Sequence, residues 1–211
     1  MRDINLLVKP FRQWDSETDE GNRMCASSTM SMALNFLSPG LITQKEINDA
    51  GFSQLDDYYL KQLIEKQGGN TNDPEFHVKV LRQLGFNASL QKNGDWNQVN
   101  QLLLDGIPVP MVIAHHGPAS SPDVARWHWI LCRGYVSGSK SHIYNDPNGE
   151  LNVRDGGYVG SDGSALQYSD LNLTPRWQTD GPGRGWFIKL EKPFPKPGSR
   201  VVPQKPAPKK K

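Results

Sequence analysis

The sequence predicts an α+β protein with helices in its first half and strands in its second. Apolar residues recur at helical spacing through much of residues 25–104, and glycines and prolines interrupt these segments. From Pro108 onward, short apolar or alternating segments bounded by turn-forming residues are typical of strands. Because the helices precede the strands and do not alternate with them, we expect a helical part followed by an antiparallel sheet.

Several helices carry start and stop signals. The first follows Cys25, has apolar residues at helical spacing up to Leu37, and ends at a Ser-Pro-Gly cluster. Asp73 is a strong predicted cap, since Pro74 occupies the first helical position, and Gly85 closes that helix. The other predicted helices are a short one over 44–50, one from about Asp57 to Ile64, and one from Asp95 through Leu103.

Four later segments predict strands of a buried sheet. The interval between residues 146 and 184 is rich in Gly, Asp and Ser, and we expect irregular loops there with one further hairpin at most. The predicted strands are PVPMVIA (108–114), HWILCRGY (128–135), SHIYND (141–146) and GWFIKLE (185–191).

Composition indicates one water-soluble domain followed by a basic tail. The chain has 211 residues, a mean hydropathy of −0.62, and no apolar stretch long enough to cross a membrane. Residues 192–211 contain seven basic residues, six prolines and no acidic residue. We assign residues 1–191 to the domain and 192–211 to a disordered tail, which is either a solvated end or a contact for an anionic cell envelope.

The terminus and the cysteines indicate synthesis in the cytoplasm. The apolar run near the amino terminus is shorter than a secretory signal requires. Two cysteines, Cys25 and Cys132, exclude a disulfide scaffold, and we expect both to be thiols. No feature predicts a specific nucleic-acid partner, and we expect a monomer.

Three residues have the chemistry of a nucleophile, a base and an orienting group. Cys25 precedes a helix whose positive N-terminal end favours a thiolate, although a free cysteine is often only a small buried side chain. His128 opens a predicted buried strand and is able to serve as the base. Asp146, eighteen residues later, ends the next strand and is able to orient His128, although alone it is an ordinary turn residue.

The text around these residues resembles one enzyme family. The segment FRQWDSETDEGNRMCASSTMSMALNFL resembles the nucleophile region of the bacteriocin-processing cysteine peptidases, in which a glutamine precedes the cysteine by about a dozen residues; Gln13 precedes Cys25 by twelve. HWILCRGY followed by YNDPNG resembles the histidine strand and aspartate-proline turn of that family. The resemblance spans roughly residues 12–149 and extends loosely to residue 190.

The resemblance implies a papain-like fold and a thiol-dependent amide hydrolase that needs no cofactor. Cys25 would attack a carbonyl carbon, His128 would carry the proton, and Asp146 would orient His128. Gln13 and the Cys25 backbone amide would form the oxyanion hole; otherwise Gln13 is an ordinary surface amide.

Within the family, the segment DDYYLKQLIEKQGGNTNDPEFHVKVLRQLGF (56–86) resembles phage peptidase-like lysins. This resemblance implies an endolysin that is made in the host cytoplasm without a signal peptide and cleaves peptides of bacterial peptidoglycan after release. Two alternatives stay open. One is a non-catalytic virion or cell-wall-binding protein with the same fold, and the other is a peptidase that processes a phage protein.

A zinc site is the competing chemical interpretation. His115, His116, Asp123 and His128 lie close in sequence, but their spacing does not match that of zinc-dependent peptidoglycan carboxypeptidases, so we predict no metal. We expect His115 and His116 to end a strand and the loop to Asp123 to line the cleft. Cys132, His77 and His142 are interpreted as structural or exposed residues.

Overall fold

The structure is a computed structural model that describes residues 2–199. Within them, six α-helices and nine strands form, and a π-helical turn, Tyr59–Ile64, continues α3. The helices are α1 (Cys25–Leu37), α2 (Gln44–Asp49), α3 (Leu55–Tyr58), α4 (Pro74–Gln83), α5 (Trp96–Leu104) and α6 (Asp170–Trp177). The strands are β1 (Ile4–Asn5), β2 (Asn87–Gly94), β3 (Val109–Ala114), β4 (Trp127–Val136), β5 (Ser141–Asn145), β6 (Glu150–Leu151), β7 (Tyr158–Gly160), β8 (Leu166–Ser169) and β9 (Gly185–Glu191).

A seven-stranded antiparallel sheet forms the second part of the fold. Its order is β2-β9-β3-β4-β5-β8, with β1 paired to the free length of β4, and β6 and β7 form a separate hairpin. The β3–β4 register places His128 opposite Ile113, near the N-terminal end of β4. The α+β prediction, with helices first and an antiparallel sheet after them, is confirmed.

Local signals explain the helices. Asp73 caps α4 by accepting a 3.0 Å hydrogen bond from the Glu75 backbone amide, and Gly85, with a φ of +95°, follows its end. Asp95 and Gln98 form a reciprocal capping box at the start of α5. The helix predicted from Asp57 begins two residues earlier, at Leu55.

Two elements differ from the sequence prediction. β2 was not predicted because NASLQKNG lacks regular apolar alternation; it gains its structure by pairing with β9 along one edge. The interval 146–184 was expected to be irregular, but it contains β8 and α6 besides the hairpin. Pro175 inside α6 weakens the helical signal, whereas complete burial of Arg176 and Trp177 fixes that helix in place.

The core lies between the sheet and the helices on it. α1 lies along β4, where the Thr29 hydroxyl donates a 3.1 Å hydrogen bond to the Trp129 carbonyl. On α6, the buried Trp177 ring meets both Phe187 of β9 and Trp96 of α5. The sheet therefore holds helices from distant parts of the chain in one packed unit.

The described beginning of the basic segment lies against the domain. Phe194 packs on Phe86 with 6.2 Å between ring centroids, and Lys192 Nζ donates to the Asp105 carbonyl at 2.8 Å. The rest of the predicted tail, residues 200–211, lies outside the described residues. Among residues 2–199, no helix is long and apolar enough to cross a membrane.

Candidate active site

Cys25 occupies the first position of α1. Two short 3₁₀ turns lead into it, and Gly21 in the second turn lies so close to the Gln13 carbonyl that a Cβ would approach that oxygen to 2.7 Å. The partly buried sulfur faces His128 and backbone amides of Trp129 and Ala26. Burial opposes ionisation, but the His128 hydrogen bond and charge, with the two amides, lower the Cys25 pKa below its ordinary value.

His128 is the second residue of β4 and is buried. Its Nε2 atom lies 2.7 Å from Asp146 Oδ1, which leaves Nδ1 for the hydrogen bond with the Cys25 sulfur. Burial lowers the His128 pKa, whereas the charge and hydrogen bond of Asp146, followed by those of Cys25, raise it; the net effect raises the pKa to about 10.

Asp146 directly follows β5 and begins a tight turn. Its Oδ1 accepts the His128 hydrogen bond and another from the Asn148 backbone amide at 2.9 Å, while the Tyr158 hydroxyl donates to Oδ2 at 3.4 Å. The Asp146 amide donates to the Gly163 carbonyl at 2.8 Å, and a Cβ at Gly163 would overlap the Asp146 carbonyl. The turn therefore holds the carboxylate in one orientation.

These three residues form a continuous chain of contacts from the sulfur to the carboxylate. A lowered thiol pKa beside a raised imidazole pKa favours the pair in which sulfur is anionic and imidazole is cationic. The buried carboxylate of Asp146 balances the imidazolium charge. The arrangement suits attack by a thiolate on an electrophilic carbon, followed by proton donation from the imidazolium.

Gln13 lies beside the turn that carries Asp146. Its backbone amide donates to the Pro147 carbonyl at 2.9 Å, and the neighbouring Trp14 indole donates to Asn148 Oδ1. The Gln13 side chain is 4% exposed, and its Oε1 atom has no hydrogen-bond partner among the described residues. The structure thus brings Gln13 to the aspartate side of the site and buries its side chain there.

Two rings beside His128 were not assigned a role from the sequence. His115 stacks on His128 with 5.1 Å between centroids and 22° between planes, and Tyr158 meets His128 edge-on at 5.9 Å. His115 directly follows β3, and the pairing of β3 with β4 brings it next to His128; a correct prediction of that pairing would have identified the contact. No sequence feature identifies Tyr158, because it lies in a glycine-rich segment without a regular pattern.

The remaining candidates lie apart from this chain of contacts. Cys132 is buried and free, and burial raises its pKa. His77 and His142 are fully buried; His142 lies 2.7 Å from Asp170. In the part of the chain that the structure describes, no group of three or more His, Cys, Asp or Glu side chains is arranged to hold a metal ion.

One solved structure has this architecture over nearly the whole chain. A crystal structure of a protein from Bacillus anthracis, described as a C39-like peptidase, matches 92% of this chain and 99% of its own, with 12% identity and a TM-score of 0.56. The peptidase domain of Streptococcus ComA, a bi-functional ABC transporter involved in quorum sensing, matches 87% of this chain and 97% of its own, with 16% identity and a TM-score of 0.45. A comparison with curated protein sequences gives no match.

The family model named Peptidase_C39 like family matches residues 5–156. That range includes Cys25, His128 and Asp146 and most of the elements that position them. The Bacillus anthracis structure extends the likeness in fold over nearly the whole chain. The chain therefore belongs to the Peptidase_C39-like family and is a cysteine peptidase with a papain-like α+β fold.

Proposed function

We propose that Cys25, His128 and Asp146 are the catalytic triad of this peptidase. The observation that carries the proposal is the series of contacts from Asp146 to Cys25. Asp146 Oδ1 lies 2.7 Å from His128 Nε2, and the other nitrogen of the imidazole meets the Cys25 sulfur. Asp146 raises the pKa of His128, and His128 lowers the pKa of Cys25, so the thiolate forms at a lower pH than it does from an ordinary cysteine.

The reaction follows from these positions. The Cys25 thiolate forms a bond to the carbonyl carbon of the substrate, and collapse of the tetrahedral intermediate breaks the carbon–nitrogen bond. His128 gives its proton to the departing amine, leaving a thioester on Cys25. His128 then takes a proton from water, which attacks the thioester and releases a carboxylic acid and the Cys25 thiolate.

Gln13 and the Cys25 backbone amide are the proposed donors to the oxyanion. The burial of Gln13 beside the Asp146 turn supports this role, since its side-chain NH₂ group is a hydrogen-bond donor. Replacing one such donor typically lowers kcat by about 10²–10³. We therefore expect Gln13→Ala to lower turnover by that order while leaving alkylation of Cys25 unchanged, since alkylation creates no oxyanion.

For the substrate, we propose peptides of bacterial peptidoglycan cleaved by a phage endolysin. Two sequence features support this proposal: the resemblance of residues 56–86 to phage lysins, and the basic segment from Lys192, which suits an anionic envelope. A peptidase that processes a phage protein would use the same three residues, and a wall-binding protein would not need them.

The test is digestion of purified peptidoglycan, with mass spectrometry of the new amine and carboxylate ends. The parent protein and a Cys132→Ala control should release the same peptides, and Cys25→Ala should release none while remaining folded. Clearing of walls by Cys25→Ala at the parent's rate would refute the thiol mechanism. Retained thiol reactivity without any wall cleavage would instead favour processing of a protein substrate.

A further inference from the structure

His115 lies against the face of the proposed catalytic base. Its ring stacks on His128 at 5.1 Å, and the Tyr158 ring meets both imidazoles edge-on, at 5.7 Å from His115 and 5.9 Å from His128. The hydrogen bonds of His128 to Asp146 and Cys25 lie in the plane of its ring. His115 therefore contacts a face of the His128 ring, which the hydrogen bonds of the triad do not use.

The polar atoms of His115 do not explain its position. Nδ1 is buried and has no hydrogen-bond partner within residues 2–199. Burial, assisted by the charges of His128, His116, Arg126 and Arg176, lowers the His115 pKa to about 3. At neutral pH His115 is thus an uncharged ring that does not repel the His128 imidazolium.

A second set of contacts holds this ring in place. Arg176 is completely buried in α6, and its guanidinium donates to the carbonyls of Ala114 at 3.0 Å and Gly117 at 2.6 Å, on both sides of His115. The same guanidinium donates to the Val153 carbonyl at 2.6 Å, in the loop that leads to Tyr158. One buried cation therefore anchors the backbone on both sides of His115 and in the loop before Tyr158.

We infer that His115 is a positioning residue for catalysis, which keeps the His128 ring in the plane of Cys25 and Asp146 and keeps water from its face. This inference rests on the proposed triad. A flat ring is what the role requires, so phenylalanine should replace His115 and a non-aromatic side chain of similar size should not. Exclusion of water strengthens the attraction between the imidazolium and Asp146, because opposite charges attract more strongly where the dielectric constant is lower.

The test is the rate at which iodoacetamide alkylates Cys25 as a function of pH, with the modified peptide identified by mass. This readout needs no substrate. The titratable groups that face His128 are Cys25 from α1, Asp146 after β5, His115 after β3 and Tyr158 from β7. The parent should react rapidly from the lowered pKa of Cys25 up to the raised pKa of His128, near 10.

The variants are His115→Phe, His115→Gln and His115→Ala, with His116→Ala as the matched control, since His116 meets His115 edge-on at 4.3 Å. In His115→Gln and His115→Ala, the upper inflection should fall by about one pH unit or more, as the Asp146 interaction becomes exposed to water. His115→Phe and His116→Ala should keep the parent profile. Should the alanine variant not fold, the glutamine and phenylalanine pair decides the question.

Two results would overturn the inference: an unchanged upper inflection in His115→Gln, or an equal fall in His115→Phe and His115→Gln. Neither result bears on the triad. A parent profile with a single inflection at the ordinary thiol pKa would instead refute the proposed thiolate–imidazolium pair, so the two failures are distinguishable.

Discussion

The Asp146 carboxylate receives hydrogen bonds of unequal length on its two oxygens. His128 and the Asn148 amide share Oδ1 at 2.7 and 2.9 Å, whereas Tyr158 reaches Oδ2 at 3.4 Å. Shorter hydrogen bonds to a charged acceptor are the stronger ones. The carboxylate itself should therefore determine the charge of His128, and the tyrosine hydroxyl should contribute little.

Replacement of Asp146 by asparagine tests this ranking. The amide removes the negative charge and is able to stabilise the wrong imidazole tautomer, so the His128 pKa should fall and the Cys25 pKa should rise. We expect alkylation of Cys25 at pH 7 to slow by about tenfold or more, since one pKa unit is a factor of ten. Tyr158→Phe, which keeps the ring and removes the hydroxyl, should stay within about threefold of the parent. Equal losses in the two variants would show that the hydroxyl, not the charge, controls the pair.

At the scale of elements, the sequence predicts best where the signals are local. The caps Asp73 and Asp95 and the helix that begins at Cys25 depend on neighbouring residues, and the structure contains each of them. α6 and β2 depend on distant contacts instead: α6 is held by buried Arg176 and Trp177, and β2 by its pairing with β9. Local sequence patterns do not identify such distant partners.

The residues of the candidate site also fall into two groups: those that local sequence patterns predict and those that depend on distant contacts. Cys25, His128 and Asp146 were recognisable because each lies at an element boundary with suitable chemistry, and the structure brings the three into contact. The packing of His115 and Tyr158 on His128 follows from the β3–β4 register and from a loop fold that no local pattern encodes. The catalytic roles of Cys25, His128 and Asp146 and the positioning role of His115 stay predictions.

Arg176 of α6 gives a prediction about how elements are joined. Its guanidinium donates to the carbonyl oxygens of Ala114 at the end of β3, of Gly117 in the loop after β3, and of Val153 between β6 and β7. Arg176→Met fills a similar volume but leaves these buried acceptors without donors, so the free energy of unfolding should fall by about 3 kcal/mol or more in urea titrations. Arg154→Met, at a side chain that is 81% exposed, should change it by less than about 0.5 kcal/mol. An equally small change in the free energy of unfolding for Arg176→Met would show that water donates to these carbonyls in place of the guanidinium.

The contact between α3 and α1 predicts a pH-dependent stability. The Ser28 hydroxyl, one turn after Cys25, donates to Asp56 Oδ2 at 2.6 Å, while Oδ1 has no partner among the described residues. Burial, opposed by Ser28 and assisted by Asp57, raises the Asp56 pKa from 3.8 to about 6. The folded state therefore binds this proton more tightly than the unfolded chain. The contribution is fully present below pH 3.8 and is lost as the pH rises through 6.

Urea unfolding at pH 4 and pH 8 measures this contribution. Relative to Asp56→Asn, which does not titrate, the parent should lose about 2 kcal/mol of unfolding free energy between the two pH values. Asp49→Asn, at a carboxylate that is 63% exposed, should keep the parent's pH dependence. If the parent and Asp56→Asn depend on pH equally, Asp56 ionises normally in the folded protein.

At the scale of the whole molecule, charge is divided along the chain. The last twenty residues contain seven basic and no acidic residues, while the first 191 contain 17 basic and 22 acidic residues. An anionic polymer would repel the body and attract the carboxyl-terminal segment. Such attraction weakens as salt increases, because the Debye length falls from about 30 Å at 0.01 M to about 8 Å at 0.15 M.

Two truncations separate this attraction from packing. Removal of residues 200–211 takes away five basic residues and keeps every contact within residues 2–199, so we expect alkylation of Cys25 and the free energy of unfolding to match the parent. Retention on purified anionic cell walls should fall, and the difference should be largest at low salt.

Removal of residues 192–211 also deletes the Phe194 contact with Phe86 and the Lys192 hydrogen bond to Asp105. This longer truncation should keep the chemistry of Cys25 but lower the free energy of unfolding by about 1 kcal/mol, as expected for a partly buried aromatic ring. If the shorter truncation binds walls as well as the parent at low ionic strength, attachment does not depend on residues 200–211. If the longer truncation also binds as well as the parent, attachment belongs to the body of the protein, and the segment from Lys192 to Ser199 matters only for its packing on the domain.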